Sequence, residues 1–586
     1  MNSNFNISPE VKIKGNDAAC FAGWDKIVSQ LKSEMSSVPK AKKVIVIEYY
    51  HGVNETEIFN SLIKDLSVDT VIDATEAMYP EQKIRDITFP DVTDDRIFGF
   101  ITRLSMDDFY DPEKVNSLLS RIFAQEKGVI LIYGYGASKI IPNPDLFIYV
   151  DMARWEIQKR MRRNEVNNLG INNFNDNFES QYKRGYFVDW RVCDKVKKET
   201  AKRWDYILDT NLENHPVMIS SEAFRESLIQ VAKQPFSVVP YFDAGPWGGQ
   251  WMKEKLGLDK GFSNYAWCFN CVPEENSLLL KFGDKRFETP SINLVFFKPV
   301  ELLGDAVHGR FGTEFPIRFD FLDTMEGGNL SLQVHPMTEY IQENFGINYT
   351  QDESYYMLDA GDDASVYLGL KEGIDSSAMI TDLKNSEENG TVFNDEAYVN
   401  KWPAKKHDHF LIPGGTIHCS GKNSVVLEIS ATPYIFTFKL WDWGRLGMDG
   451  KPRPINIDRG VANIQWNRTT PWVNENLINQ IEEVGSGDGW REEITGLHKR
   501  EFIETRRHWF TKKVKHQTNE GLNVLTLIEG REIIVESPCG SFDPFVVHYA
   551  ETFIVPAAVG EYTIRPHGES EGKECATIKA FVRVNA

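Results

Sequence analysis

The chain has 586 residues, far more than the roughly 100–200 of a typical domain, so we expect two to four domains. Its 85 acidic and 65 basic residues give a formal net charge of −20, which argues against general nucleic-acid binding and requires local cations wherever an anion is held. The sequence has no apolar run approaching the roughly 20 residues of a membrane span and no signal-type amino terminus. We therefore expect a soluble, cytoplasmic protein with no membrane partner, and the seven scattered cysteines favour reduced thiols over disulfides.

Residues 1–235 alternate short apolar runs with helical patterns. Two segments, NETEIFNSLIKDL and ARWEIQKRMRRNEVNNLG, have the apolar spacing and charged faces of amphipathic helices. The apolar runs are typical of buried parallel strands, namely KVIVIEYY (43–50), GVILIYGYG (128–136) and DLFIYVDM (145–152). This alternation predicts an α/β layer structure.

Past Pro235 the pattern changes to closely spaced short strands with glycine and proline turns. Examples are SINLVFFKPV, PIRFDFLDT, ESYYMLD, ASVYLGL, HFLIPGG and SVVLEISA. Such spacing indicates an antiparallel sandwich or barrel. A polar stretch around 470–500 then leads into a final group of strands. We predict three domains: an α/β domain at 1–235, a β-barrel at 236–465 and a smaller β-barrel at 466–586.

The stretch GGNLSLQVHPMTEYI (327–341) places Gln333 and His335 on one face of a predicted strand. Taken alone, the pair is better explained by polar side chains that bond to nearby backbone. Glu353, at the start of a later strand, and His418, just past a proline-glycine turn, change that balance. Two imidazoles, a carboxylate and an amide oxygen suit a divalent ion such as zinc with an open position for substrate.

Several blocks of this region resemble, in order, those of the type I phosphomannose isomerases, zinc enzymes of the cupin superfamily. They are YFDAGPWGGQWMKEKLGL, FPIRFDFLDTMEGGNLSLQVHP, DESYYMLDAGDDASVYLGLKEG, FLIPGGTIH, WDWGRLGMDGKPRPINIDRGV, IEGREIIVES and ETFIVPAAVGEYTI. The resemblance spans roughly 240 to 586. It implies two cupin (jelly-roll) barrels and one zinc ion held by Gln333, His335, Glu353 and His418. It also implies interconversion of mannose 6-phosphate and fructose 6-phosphate, in which a proton moves between adjacent carbons.

The chain departs from that family at two positions that touch substrate. Gln351 stands where the family has a lysine two residues before the ligand glutamate, and Lys439 stands where it has an active-site arginine. A neutral amide cannot replace an ammonium at a phosphate, and lysine is a point charge where arginine is a planar fork. We expect Lys439 to be catalytic. Ser331 matches a family position implicated in phosphate contact, and Arg445 is either a substrate cation or an exposed strand-end charge.

Other candidate ligands have simpler explanations. CFNC (Cys268 and Cys271) is a lone CxxC pair in a predicted strand, for which ordinary packing is expected. His407 and His409, in KKHDHF, are expected in a solvated turn before a strand.

Residues 1–235 resemble a nucleoside-kinase-like P-loop domain of the uridine kinase type. In such enzymes the first strand runs into GxxxxGK[ST], whereas here it runs into EYYHGVNETEI, which has no lysine and lacks the required glycines and hydroxyl residue at the positions of the motif. The resemblance implies a base or metal ligand near 107–108 and lid arginines near 160–163, and a solvated helix face is the alternative. The residues are Asp107, Asp108, Arg160, Arg162 and Arg163. We expect a degenerate kinase fold with a structural or regulatory role.

Two functions are therefore in view. The first is a zinc-dependent aldose–ketose isomerase whose partner is a small phosphosugar, with mannose 6-phosphate as the expected substrate. The second is a non-catalytic sugar-binding or regulatory bicupin protein. Turnover of mannose 6-phosphate separates the two.

Overall fold

A computed structural model describes residues 3–431, 434, 436–446, 450, 453–498 and 501–584. The first strands in chain order are β1 Glu10–Lys12, β2 Cys20–Ala22, β3 Lys42–Tyr49, β4 Thr70–Asp73, β5 Gly128–Gly134, β6 Leu146–Asp151, β7 Tyr206–Asp209, β8 Val217–Ser220, β9 Tyr241–Asp243, β10 Trp267–Cys271, β11 Ser277–Phe282 and β12 Lys285–Pro290. The next are β13 Arg318–Asp323, β14 Leu332–Val334, β15 Glu353–Ala360, β16 Ser365–Leu370, β17 Val399–Pro403, β18 His409–Ile412, β19 His418–Ser420, β20 Ser424–Ser430 and β21 Phe438–Trp441. The last are β22 Glu482–Gly487, β23 Trp490–Gly496, β24 Ile503–Phe510, β25 Val514–Gln517, β26 Asn523–Glu529, β27 Glu532–Glu536, β28 Phe545–His548, β29 Thr552–Val555, β30 Glu561–Pro566 and β31 Cys575–Val582.

The α-helices are concentrated in the first 231 residues. The helices there are α1 Trp24–Ser37, α2 Glu55–Ser61, α3 Glu81–Val92, α4 Pro112–Ala124, α5 Ala137–Ile140, α6 Arg154–Arg162, α7 Phe178–Arg184, α8 Trp190–Thr200 and α9 Ser221–Val231. Those that follow are α10 Trp251–Lys255, α11 Ile292–Phe297, α12 Pro299–Leu303, α13 Asp305–Phe311, α14 Thr338–Phe345, α15 Ser376–Asn389, α16 Asp395–Tyr398, α17 Ile457–Asn463 and α18 Thr470–Asn476. Within the described ranges, none of the helices combines the length and the apolar character needed to cross a bilayer.

The chain forms two compact units. The first, called the α/β unit, comprises Glu10–Gln230 and Ser277–Phe297. The second, called the β unit, comprises Met1–Pro9, Val231–Asn276 and Lys298–Ala586. Residues 277–297 thus fold with the α/β unit, although they lie beyond the boundary predicted at 235. The three domain ranges themselves stay predictions.

The α/β unit is built on a seven-stranded sheet in the order β2-β8-β7-β6-β3-β5-β4. Strands β3 to β7 are parallel, and β2 and β8 form an antiparallel edge. The apolar run of β3 is buried on both faces, as a central parallel strand requires. The predicted mixture of strands and helices is therefore confirmed. The carboxyl ends of β3, β4 and β5 lie at one edge of this sheet.

The β unit contains two pairs of sheets. The first pair has the strand orders β18-β15-β20-β13-β10-β9 and β17-β16-β19-β14-β21, and the second has β22-β23-β24-β31-β26-β29 and β25-β30-β27-β28. Among the residues described, each pair consists of two open sheets, and the two β-barrel (jelly-roll) domains stay a prediction. Bulges and three-residue strands such as β14 and β19 interrupt the hydrogen-bond ladders of the first pair.

Candidate metal centre

The four predicted zinc ligands lie on three strands of the first sheet pair. Gln333 is the middle residue of β14, and His335 follows that strand directly. Glu353 opens β15 and His418 opens β19. Gln333 and His418 are directly opposite each other in an antiparallel pair, so their side chains leave the same face of the sheet.

Three of these side chains converge on one buried point. Glu353 Oε2 lies 3.1 Å from His335 Nε2, and Glu353 Oε1 lies 2.9 Å from His418 Nε2. Each of these side chains is at most 1% exposed. Within the described part of the chain, this is the group of histidine and acidic side chains whose ligand atoms are close enough together to hold a metal ion.

Backbone carbonyls orient both imidazoles toward the same point. His335 Nδ1 lies 2.8 Å from the carbonyl of Phe436, and His418 Nδ1 lies 2.9 Å from the carbonyl of Thr416. A ring that donates from Nδ1 to a carbonyl presents an unprotonated Nε2 when it is neutral. Neither His335 Nε2 nor Glu353 Oε1 has a hydrogen-bond partner among the described residues. Buried acceptors that face one another without a donor fit a bound cation.

The charges at the centre favour the ligand forms of His418 and Glu353, whereas the Glu353 carboxylate raises the pKa of His335 although burial opposes the shift. Burial lowers the pKa of His418. Burial would raise the pKa of Glu353, but the His335 and His418 imidazoles hold it well below its usual range. The carboxyl group is therefore ionised, as a metal ligand must be.

Gln333 and Ser331 form a small polar bridge beside the histidines. Gln333 Nε2 lies 3.3 Å from His418 Nε2, and the Ser331 hydroxyl donates to Gln333 Oε1 at 3.1 Å. A half-turn of the amide about its last bond would exchange these roles and present the oxygen to the centre. Ser331 is buried, and its hydroxyl holds the amide of the predicted fourth ligand.

Gln351 braces the ligand carboxylate. Its Nε2 donates to Glu353 Oε2 at 2.9 Å and to Glu428 Oε1 at 3.4 Å, and its Oε1 accepts from the Phe436 backbone N–H at 3.2 Å. The amide that replaces the expected lysine is thus engaged with the centre's own carboxylates.

The two predicted cations differ in position. Lys439 is the strand partner of Gln333 on β21, so the half-buried lysine leaves the same face as the ligand. Arg445 donates to Asp442 Oδ1 at 2.6 Å and to the Asn329 carbonyl at 2.6 Å. The arginine therefore stabilises its own loop, whereas Lys439 lies beside the centre.

Sequence reasoning missed three charged residues on the inner face of this sheet pair: Arg318, Asp320 and Glu428. Asp320 on β13 is the strand partner of Glu428 on β20, and all three side chains are buried. Burial raises the pKa of Asp320 to about 7, although Arg318 opposes the shift, and burial raises the pKa of Glu428 well above its usual range. The sequence signal that could have identified them is the alternation of charged and apolar residues in PIRFDF and the single acidic residue in the apolar run SVVLEIS.

The minor candidates have structural roles. Cys268 and Cys271 are buried in β10, and the Cys268 thiol lies 2.8 Å from Asn270 Oδ1. His409 is fully buried at the start of β18, so its placement in a solvated turn was wrong. The reason is that His409 belongs to the edge strand β18, where it pairs with Tyr356 of β15 and its ring packs on the Tyr356 ring with the centroids 5.4 Å apart. His407 Nδ1 contacts the Tyr356 hydroxyl at 2.9 Å.

The loop after β3 corresponds in sequence to the phosphate-binding loop of the kinases that this region resembles. Side chains of the protein fill the space around it. His51 Nδ1 accepts from the Trp190 indole N–H at 3.1 Å, and its Nε2 lies 2.9 Å from the Asn167 carbonyl. Arg160 is buried and donates to the carbonyls of Gly52 and Thr210 at 2.8 Å each. The solvated-face alternative is therefore wrong for Arg160, because its guanidinium satisfies these carbonyls.

The other candidates of the α/β unit interact with neighbouring side chains. Arg162 lies 4.4 Å from the centroid of the Phe178 ring. Arg163 pairs with Glu165 at 2.8 Å. Asp107 and Asp108 lie in a 3₁₀ turn, where Asp108 accepts from the Ser105 backbone N–H at 2.7 Å and Asp107 lies 3.5 Å from Lys139 Nζ.

Comparisons with known proteins give a family model for residues 23–233 and relatives named as mannose-6-phosphate isomerases. Residues 23–233 match a family model described as a domain of unknown function, DUF8485. GmuF of Bacillus subtilis (strain 168), named a probable mannose-6-phosphate isomerase, is 22% identical over 332 residues, which cover 56% of this chain and 96% of that protein. The mannose-6-phosphate isomerase ManA of the same organism is 29% identical over 156 residues, 26% of this chain and 45% of that protein.

A crystal structure of the mannose 6-phosphate isomerase from Bacillus subtilis matches with a TM-score of 0.48 and 18% identity, over 59% of this chain and 99% of that one. In sequence, the chain is similar over 56% of its length to a protein named a probable mannose-6-phosphate isomerase, and over 26% of its length to one named a mannose-6-phosphate isomerase.

Proposed function

We propose that this chain is a zinc-dependent aldose–ketose isomerase of phosphosugars, with mannose 6-phosphate and fructose 6-phosphate as its substrate pair. The observation that carries the proposal is the convergence of His335, Glu353 and His418 on one buried point, with ring nitrogens oriented by backbone carbonyls. The sequence similarity to named mannose-6-phosphate isomerases supports the same reaction class.

The metal would be held by His335, Glu353, His418 and the amide oxygen of Gln333. Two imidazoles with oxygen donors suit zinc, and three or four protein ligands leave a position open for substrate. A bound zinc ion would supply Lewis-acid polarisation of the sugar oxygens. Gln351 holds Glu353 in place through its 2.9 Å hydrogen bond, which limits the rotation of the ligand carboxylate.

Lys439 supplies the local cation that a phosphosugar requires. The inner face sets the Glu353 carboxylate and Asp320 against Arg318, and Glu428, whose raised pKa favours its neutral form, adds no cation. The protein charges there therefore do not attract a dianion. Lys439 projects from the face that also carries Gln333. Its flexible stem and point charge allow a different phosphate position from the one an arginine would fix.

The second candidate is a sugar-binding or regulatory protein without turnover. Gln351 favours it, because this amide occupies the position of an expected lysine and bonds to Glu353 rather than offering a cation. A coupled assay with zinc-loaded protein and a panel of aldose phosphates separates the candidates. We expect turnover of mannose 6-phosphate that is lost on metal removal. Saturable binding without turnover of any aldose phosphate would establish the second candidate instead.

We further propose that the α/β unit is a degenerate kinase-like domain with a structural or regulatory role. The buried contacts of His51 and Arg160 around the loop after β3 support this proposal, because they use the space and the backbone carbonyls of that loop.

A further inference from the structure

The α/β unit contains an open cavity of about 570 Å³ at the carboxyl edge of its parallel sheet. Its walls come from the segments that follow β3, β4 and β5, together with residues 165–172. Ligands of open α/β sheets bind outside the carboxyl ends of the strands. The volume is in the range of roughly 300–1,000 Å³ that small-molecule sites occupy.

The chemistry of the walls disfavours a phosphate ligand. The lining includes three glutamates, four asparagines, two threonines and two tyrosines, and none of the described lining residues is lysine, arginine or histidine. A phosphate here would face carboxylates, because the cations beside the walls, Arg85 and Arg163, already pair with the lining residues Glu81 and Glu165. The walls therefore disfavour a nucleotide or a phosphosugar.

Glu55 is the carboxylate most available to a ligand. Glu81 is held by Arg85 at 2.7 Å and Glu165 by Arg163 at 2.8 Å. Glu55 has no cation within ion-pair distance in the described part of the chain, and it bonds to the Tyr135 hydroxyl. Glu55 is exposed to the cavity, and partial desolvation by its surroundings together with the nearby Asp73 carboxylate raises its pKa. Hydrogen-bond donors on a ligand would stabilise its charged form.

The walls also offer donors, and this distinguishes between two ligand chemistries. An ammonium group donates only, so the amide N–H groups of asparagines such as Asn54 and Asn172 would face it without an acceptor. Sugar hydroxyls both donate and accept, which matches carboxylates, amides and threonine hydroxyls together. The rings of Tyr79 and Tyr135 add apolar surface for the C–H faces of such a molecule.

We propose that this cavity binds an uncharged, polyhydroxylated small molecule of monosaccharide size, with Glu55 as a main acceptor. The site is separate from the metal centre and does not depend on the isomerase proposal. An unphosphorylated sugar bound here would give the α/β unit a sensing role without phosphate transfer.

Calorimetric titration of the full chain tests the proposal with D-glucose, D-mannose, D-fructose and D-ribose as probes, and with spermidine and inorganic phosphate for comparison. We expect saturable binding of at least one sugar, unchanged in His335→Ala. Glu55→Gln should weaken it about tenfold, because a charge-assisted hydrogen bond is lost. Thr56→Trp, at an exposed lining position, should abolish it.

Glu113→Gln is the matched control, since Glu113 is an exposed first-turn glutamate of α4 in the same unit. It should leave sugar affinity unchanged. Thermal midpoints check that each variant folds, and Glu55→Gln decides the question if Thr56→Trp does not. The proposal is overturned if no sugar binds saturably, if spermidine alone binds, or if sugar binding is lost in His335→Ala and kept in both cavity variants.

Discussion

Among the described residues of the β unit, His335 and His418 form one close pair of buried histidines and His508 and His516 another, and the first pair has the partners of a metal site. The ring centroids of His335 and His418 are 4.8 Å apart, and those of His508 and His516 are 4.5 Å apart. In the first pair, each Nδ1 is held by a carbonyl and each Nε2 lies within 3.1 Å of Glu353. In the second pair, neither ring nitrogen of His516 has a hydrogen-bond partner among the described residues.

The difference shows that closeness of histidines does not make a metal site. Glu492, the carboxylate nearest the second pair, lies 3.6 Å from His508 Nδ1. It is also 3.4 Å from Arg506 and 3.5 Å from Lys579, so cationic side chains already neutralise it. A metal centre needs imidazoles with oriented lone pairs and a carboxylate that is not already paired with a lysine or arginine. His335 and His418 meet the first condition, and Glu353 meets the second.

The largest expected effect is on metal content. His335→Ala should remove the zinc, because it deletes one of the two imidazoles at the centre. His516→Ala, the matched change in the other pair, should retain it. Elemental analysis of the purified proteins makes the comparison. Equal zinc in wild type and His335→Ala, or loss of zinc in His516→Ala, would place the metal elsewhere.

The next effect is on catalysis. Lys439→Met should lower kcat/KM, and the corresponding loss of transition-state stabilisation should be about 2–4 kcal/mol, as when an enzyme loses one electrostatic donor. Lys439→Arg should stay active and shift preference toward mannose 6-phosphate. Steady-state kinetics on phosphorylated and unphosphorylated aldoses measures both. If Lys439→Met equals wild type on every substrate, the lysine has only a structural role.

A smaller effect concerns acid stability of the second histidine pair. Burial lowers the pKa of His508 to about 4, whereas an unfolded histidine titrates near 6.5. The unfolded chain therefore binds the extra proton first, and the free energy of unfolding should fall by about 1.4 kcal/mol per pH unit as pH drops from about 6.5 to about 4. His508→Gln should flatten this dependence.

Calorimetric thermal midpoints between neutral and acidic pH provide the measurement, with exposed His215→Gln as the control. An unchanged pH slope in His508→Gln would show that His508 is not buried in its neutral form.

The smallest expected effect is a null result in the α/β unit. The loop after β3 has no lysine and does not carry the GxxxxGK[ST] spacing that holds a transferring phosphate, and His51 and Arg160 bond to the surrounding backbone. Titration of the full chain with magnesium ATP should give no binding heat. Micromolar binding together with a phosphorylated product would contradict the degenerate-kinase interpretation.

Local patterns predicted the parallel strands and singled out the candidate metal ligands. The runs predicted at 43–50, 128–136 and 145–152 became Lys42–Tyr49, Gly128–Gly134 and Leu146–Asp151. Their apolar character is set within each strand, so it can be read without neighbours. The convergence of Glu353 with two histidines was inferred from the family resemblance, because the residues within one strand do not determine its register against a partner strand.

Features that depend on pairing between strands far apart in the chain could not be predicted from the sequence. Strand β1 pairs in parallel with β11, so Glu10 lies opposite Leu279 and residues 277–297 join the α/β unit. His409 became buried because β18 pairs with β15. The acids Asp320 and Glu428 were visible in their strands, but only the pairing of β13 with β20 shows that they face each other.

Conversion of the sugar phosphates themselves tests the central claim most directly. Nuclear magnetic resonance can follow mannose 6-phosphate and fructose 6-phosphate in separate samples of zinc-loaded protein, without coupling enzymes. The isomerase proposal predicts that both samples reach the same mixture with wild type and that neither changes with His335→Ala. Unchanged sugars in both wild-type samples, with zinc bound, would contradict it.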